Sequence, residues 1–306
     1  MDFDEIAAAL GGEVVDVRVL AGGFSHQTSL LTLTTGPVVV RVGGTDHEIE
    51  AAVMAAAARD VPVPAVLKIL PTAMVLEYVE GTPLSEVLDG GAELGAEVGR
   101  VAAAVGAVTF DRPGFFADAT LTVQPQIPWS QQLSEFAETC MAADTRLDAA
   151  TRKAWTELCA ANAPALAAID GDARLVHADL NPKNILVARD DGRWRVAALL
   201  DWEFSFAGCP YADAANMLRF GADYPVDFVD GFTAAFAEHL PAGPDWRHLG
   251  RVLDMFALSD LVTRPAGHPV ADRAALEIRR WVAQDRTHSF GWSADGVLLA
   301  KVPDEG

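Results

Sequence analysis

The polar residues able to do chemistry concentrate in one stretch of this 306-residue chain, LVHADLNPKNILV (175–187), followed by ALLDWE (198–203). Asp179 is followed five residues later by Asn184, and Asp201 ends the next apolar run. Leu175-Val176, Ile185-Leu186-Val187 and Leu199-Leu200 flank these polar positions. Apolar strands of that kind would deliver the three side chains to the rim of one β patch. Taken singly, Asp179 and Asn184 read as turn formers and Asp201 as a strand end. Taken together, two carboxylates and an amide oxygen suit phosphoryl transfer. One carboxylate can orient a hydroxyl and accept its proton, while hard oxygens hold a Mg²⁺ that neutralises phosphate charge.

The surrounding elements have to place that set. EVVDVRVL, TSLLTL and VVVRV within residues 13–42 read as three strands, the third a buried one. DHEIEAAVMAAAARD, rich in Ala and free of Gly and Pro, is expected as a helix. VPVPAVLKIL and AMVLEYVEG then read as two further strands broken at Pro71. From about residue 84 the texture turns helical. ELGAEVGRVAAAVGAV, SQQLSEFAETCMAA and LDAATRKAWTELCAANAPALAAI carry helical periodicity, as do PVDFVDGFTAAFAEHL, RHLGRVLDMFALSDLV and DRAALEIRRWVAQD. The β patch at 185–203, with a turn near Asp191 and Gly192, interrupts them, and residues 111–129 read as an irregular loop. The expectation is an α+β fold. It has an N-terminal antiparallel sheet with one helix (residues 1–80) and a mainly helical remainder (81–306).

HADLNPKNIL resembles the His-x-Asp-(four residues)-Asn loop of protein kinases. It is closer still to that of the aminoglycoside phosphotransferase family of small-molecule kinases, where the loop is followed by a sequence like IDWE. The resemblance covers most of the chain and implies a bilobal, protein-kinase-like fold. It implies Asp179 as catalytic base, Asn184 and Asp201 as Mg²⁺ ligands, and His177 as a brace of the loop. Ala178 stands where Gly is usual, which the loop accommodates if its backbone stays at negative φ.

LAGGFSHQTSLLTL resembles the family's glycine-rich loop. Gly22 and Gly23 would let backbone N–H groups approach phosphate oxygens, with Ser25 as a further donor, and His26 has no assigned role. A cation on the third strand is also required, anchored by a helix carboxylate. Arg18 alternates with Val17 and Val19 and should face solvent, and Arg59 ends the helix. Arg41, inside VVVRV, is the candidate; its alternative is to snorkel to solvent. Its partner would be Glu50, or Glu48 as second choice. AMVLEYVEGTPL resembles the hinge between lobes, where backbone groups from Glu77 to Val79 would meet a purine with Met74 nearby, leaving ATP or GTP open. Asp213 is expected to brace the catalytic loop, and Glu203 could touch metal, substrate or backbone.

The formal charge of −20 argues against nucleic acid. It would suit a cationic acceptor, or it is a solubility bias spread over the surface. No stretch is long and apolar enough for a bilayer, and the acidic start MDFDEIAAAL lacks a basic leader region. With Cys140, Cys159 and Cys209 outside any CxxC pair, the expectation is reduced thiols in a cytoplasmic protein. GxxxxGK[ST], GxSxG and HExxH are absent. The expected activity is transfer of a γ-phosphoryl group to a hydroxyl of a small molecule, either an aminoglycoside-like antibiotic or a metabolite. The rival from another class is a nucleotide-binding pseudokinase with a regulatory role.

Overall fold

Five antiparallel strands open the structure, a computed structural model that describes residues 3–20, 26–240 and 243–287. They are β1 (Val14–Leu20), β2 (His26–Leu33), β3 (Gly36–Gly43), β4 (Val66–Leu70) and β5 (Ala73–Glu77), in the order β1-β2-β3-β5-β4. Alternation along each strand sorts the side chains onto two faces. On one face Leu31, Val40 and Val75 pack under Ile6 and Ala7 of the short helix α1 (Phe3–Ala9). Sequence periodicity did not single out α1, because seven residues carry too little pattern. On the other face Met74 and Leu76 join Val53 and Met54 of helix α2 (His47–Ala57). Asp46 starts α2 by accepting hydrogen bonds from the N–H groups of Glu48 and Ile49.

The rest of the chain holds the larger core. Helices α3 (Gly91–Val105), α4 (Trp129–Ala143) and α5 (Ala149–Asn162) precede the catalytic stretch. Helices α6 (Tyr211–Leu218), α7 (Val226–His239), α8 (Trp246–Leu261) and α9 (Pro269–Thr287) follow it. Trp155, Trp202, Phe228, Phe232 and Phe236 are fully buried among them. Helices α3 and α7 meet backbone to backbone. A Cβ at Gly95 or Gly99 would collide with the carbonyls of Phe228 and Phe232, and one at Gly231 with that of Ala92. This helix pair therefore depends on small residues at every crossing point.

Two small β units frame the chemistry. Strands β6 (Thr82–Pro83), β8 (Ile185–Asp190) and β9 (Arg193–Leu199) form one sheet, and β7 (Arg174–Val176) pairs with β10 (Phe206–Gly208). Asp191 and Gly192, at φ +47° and +77°, make the two-residue turn between β8 and β9. The expected five-strand-plus-helix unit, the helical remainder and the β patch are all found. Cys140, Cys159 and Cys209 are buried free thiols, and burial pushes the first two up to about 11 and about 12. Among the described residues no helix is long and apolar enough to cross a membrane.

Candidate functional site

Strand β7 ends at Val176 and β8 begins at Ile185, so residues 177–184 form the loop between them. His177 is buried in its base. Its Nδ1 accepts from the N–H of Asp179 at 3.2 Å, so Nε2 carries the proton and donates to the Leu200 carbonyl at 3.0 Å. Burial lowers its pKa to about 4, which keeps the ring neutral. Its ring packs on that of Trp202, with centroids 4.5 Å apart.

Asp213 of α6 accepts from the N–H groups of His177 and Ala178, each at 2.9 Å. Its carboxyl is fully buried, and burial raises its pKa to about 7 against those two donors. One turn on, Asn216 donates to the Ala178 carbonyl at 2.7 Å. Held at both its N–H and its C=O, Ala178 adopts φ +67°, which corrects the expectation of negative φ there. The tertiary bonds outweigh the cost of a left-handed alanine.

Asp179 lies at the lip of this loop. Asn181 Nδ2 donates to its Oδ1 at 3.0 Å and Asn184 Nδ2 to its Oδ2 at 2.7 Å. Burial, and then the like charge of Asp201, raise its pKa to about 6. Asn184 Nδ2 also donates to the Asp179 carbonyl at 3.0 Å, which fixes the amide orientation, because both partners are acceptors. Its Oδ1 makes no hydrogen bond among the described residues. Leu200 N–H donates to the Asn184 carbonyl at 2.8 Å, tying the loop to the approach to Asp201, itself at φ +69°.

Arg41 joins the two halves. On β3 it faces α2, and its Nη1 donates to Glu50 Oε1 at 2.6 Å, while Nη2 donates to Asp201 Oδ1 at 3.0 Å. Glu50 is buried, and the same Oε1 accepts from the Trp202 N–H at 3.2 Å. Glu48 makes no such pair; it lies exposed in the first turn of α2. Thr45, just before that helix, donates through its N–H to Glu203 Oε2 and through its hydroxyl to the Glu203 carbonyl, both at 3.3 Å.

At the far end of β5, the Glu77 N–H donates to Ala65 O at 2.9 Å, and Glu77 Oε2 accepts from the Ala65 N–H at 3.1 Å. The chain leaves the sheet after Glu77, and the N–H and C=O of Val79 make no hydrogen bond among the described residues. Met74 is buried one strand from Arg41, directly opposite it in the ladder. Gly22, Gly23 and Ser25 lie outside the described residues.

The donor set can be tested for a metal. Among the described residues no cluster of three His, Cys, Asp or Glu could hold an ion alone. Asp201 and the outward Oδ1 of Asn184 are hard oxygen ligands that need phosphate oxygens or water to complete a sphere, as Mg²⁺ does with nucleotides. The residues fit that ion as a partner of a triphosphate.

Asn181, Asn216, Trp202 and Arg219 belong to the same constellation but had not been singled out from sequence. A signal for two of them was present. In DAANMLR, Asp213, Asn216 and Arg219 recur every three residues on an otherwise apolar helix, which puts them on one face.

Residues 16–249 match the model of the phosphotransferase enzyme family. None of the curated proteins compared with the chain matches it. Several solved structures share the fold. A thermostable mutant of the aminoglycoside phosphotransferase APH(4)-Ia, in a ternary complex with ADP and hygromycin B, superposes with a TM-score of 0.69 at 16% identity. That match covers 94% of this chain and 98% of the other. A putative fructosamine-3-kinase from Thermobifida fusca has a TM-score of 0.65 at 20% identity, covering 90% and 99%. The macrolide 2′-phosphotransferase MphH from Brachybacterium faecium has a TM-score of 0.64 at 20% identity, covering 90% and 97%.

Proposed function

The chain belongs to the phosphotransferase enzyme family, and we propose that it moves the γ-phosphoryl group of ATP or GTP to a hydroxyl of a small molecule. It is a small-molecule kinase, and in this reading its lobe boundary would fall after residue 80. The supporting observation is convergence. Asp179 contacts Asn184 and feels the charge of Asp201, Asp201 contacts Arg41, and Arg41 contacts Glu50. A base, two oxygen ligands and an anchored cation would thus form one connected set.

In this reading Asp179 accepts the proton of the acceptor hydroxyl as its oxygen attacks the γ-phosphorus. The bond from that phosphorus to the bridging oxygen breaks, and the nucleoside diphosphate leaves with the electron pair. Asn184 and Asp201 would hold Mg²⁺, which supplies charge neutralisation on the phosphates. Arg41, oriented by Glu50, would take the α/β-phosphates. Gly22, Gly23 and Ser25 would close over them, and the Glu77 C=O and the Val79 N–H would meet the purine. Asn181 holds Asp179 Oδ1, which leaves the carboxylate little freedom to rotate.

The deciding experiment incubates the protein with Mg²⁺ and ATP or GTP against a panel of antibiotics and hydroxylated metabolites, read by mass spectrometry. One acceptor should gain a phosphoryl mass. Asp179→Ala should lower kcat for it by roughly 10²–10⁴ while nucleotide binding persists. Wild-type turnover in that variant would remove Asp179 from its role.

A further inference from the structure

Helix α6, which braces the catalytic loop, ends in a buried guanidinium. Asp213, Asn216 and Arg219 share one face of that helix, and the first two are bonded to the catalytic loop. Arg219 continues the row. Its side chain is 9% exposed, and its Nε and Nη2 are held side-on by Asp254 of α8. Nε lies 2.9 and 3.1 Å from the two carboxylate oxygens, and Nη2 lies 2.6 Å from Oδ1. Among the described residues Nη1 makes no hydrogen bond. That edge of the guanidinium is left for a partner from outside the protein.

Asn216, one turn before Arg219, is bonded to the residue that precedes Asp179, and the charges of Arg219 and Asp179 act on one another. Tyr224 joins from the turn after α6. Its phenol is influenced by both Arg219 and Arg273, and its hydroxyl makes no hydrogen bond among the described residues. Arg273 is itself paired with Asp223 at 3.0 Å and stacked on Phe220. Two donors without hydrogen-bond partners among the described residues, one of them on a nine-tenths buried cation, thus lie just past α6, the helix that braces the catalytic loop.

We propose that Arg219 Nη1 and the Tyr224 hydroxyl form an acceptor subsite for a carboxylate, so that the preferred acceptor is a hydroxy acid rather than an amino sugar. This inference rests on Asp179 acting as the base. An acceptor with its hydroxyl at Asp179 would bring its anionic end to these donors, and a charge-assisted bond to a guanidinium is among the stronger ones available. An ammonium in the same place would be repelled by the guanidinium, which offers it no acceptor. The overall charge of −20 does not oppose this. Distant surface charges are screened beyond roughly 8 Å at physiological salt, and a buried contact is not.

The test measures nucleoside-diphosphate release by the full chain with Mg²⁺-ATP and matched acceptors. The carboxylates are glycerate and gluconate, the amines serinol and glucosamine, and the neutral controls glycerol and glucose. The carboxylate set should exceed the amine set by at least about tenfold in kcat/KM. Tyr224→Phe should cut that ratio several-fold. The double variant Arg219→Met with Asp254→Leu, which removes both charges so that neither is left buried alone, should bring it near unity. Circular dichroism of each variant verifies folding. A preference for amines, equal stimulation by both sets, stimulation by the neutral controls alone, or an unchanged ratio in both folded variants overturns the subsite. Phosphorylation of no acceptor in any of the three sets, with Mg²⁺-ATP still bound, would count against the phosphotransferase reading instead.

Discussion

Arg41 divides its guanidinium between two carboxylates, with Nη2 3.0 Å from Asp201 Oδ1 and Nη1 2.6 Å from Glu50 Oε1. The nucleotide site proposed above asks both Arg41 and Asp201 to turn toward phosphate and metal, so their contact has to be exchanged on binding. Asp201→Ala should abolish the extra thermal stabilisation that Mg²⁺ adds to ATP. The metal-independent part, carried by Arg41, should persist. A ligand at a hundred times its Kd stabilises by about 2.7 kcal/mol, so the loss is readable by scanning calorimetry. An unchanged Mg²⁺ increment would exclude Asp201 as a ligand.

Ala178 sits at φ +67°, a conformation that glycine adopts without steric cost. Ala178→Gly should raise stability by about 0.5–1 kcal/mol, or roughly 1–2 °C in Tm, once the greater freedom of glycine in the unfolded chain is set against relief of the clash. A fall in Tm would mean that the alanine methyl contributes packing that outweighs its strain.

His177 supplies a pH signature. Its folded-state pKa of about 4 lies below the ordinary 6.5, so the folded protein binds fewer protons there than the unfolded chain. Its contribution is complete above pH 6.5 and is lost as pH falls from 6.5 toward 4, reaching about 3 kcal/mol in full. Asp213, raised to about 7, acts in the opposite sense, losing stability as pH rises from about 4 to 7. The informative measurement is therefore a comparison of urea unfolding between the wild type and His177→Gln. The variant should be less stable at pH 7 and show a shallower loss on acidification. Parallel pH profiles would show that His177 does not titrate in this way.

The seam between α3 and α7 gives a test remote from the chemistry. Gly99→Ala places a methyl group against the Phe232 carbonyl, backbone that cannot rotate aside. Overpacking of this kind costs roughly 1–3 kcal/mol or more, so unfolding should shift to lower denaturant. The KM for nucleotide should stay unchanged in the folded fraction. A neutral effect on stability would mean that the two helices can separate slightly without loss.

Much of the site was legible in the chain because its signals are local. Asp179, Asn184 and Asp201 stand out as polar residues framed by short apolar runs, and Arg41 stands out as the lone charge inside VVVRV. Both Glu48 and Glu50 lie on the first turn of α2, so position alone left two partners for Arg41, and the resemblance of EAAVM to the family's run favoured Glu50. The features that escaped are set by residues far apart. The positive φ of Ala178 is imposed by Asp213 and Asn216, more than thirty positions away. Arg219 meets Asp254 across 35 residues with no local pattern joining them. Strand β10, three residues long, takes its shape from pairing with β7 rather than from its own composition.

Glu50 Oε1 receives donors from two directions, Arg41 on the sheet and the Trp202 backbone just beyond Asp201. A single atom therefore sets the spacing between upper strand, helix and lower crevice. Drift at position 50 is constrained twice over. Aspartate would fall short of one donor or the other, and glutamine would lose the charge that keeps the arginine anchored. Any lineage descending from this protein should vary the acceptor wall freely before it alters that one carboxylate.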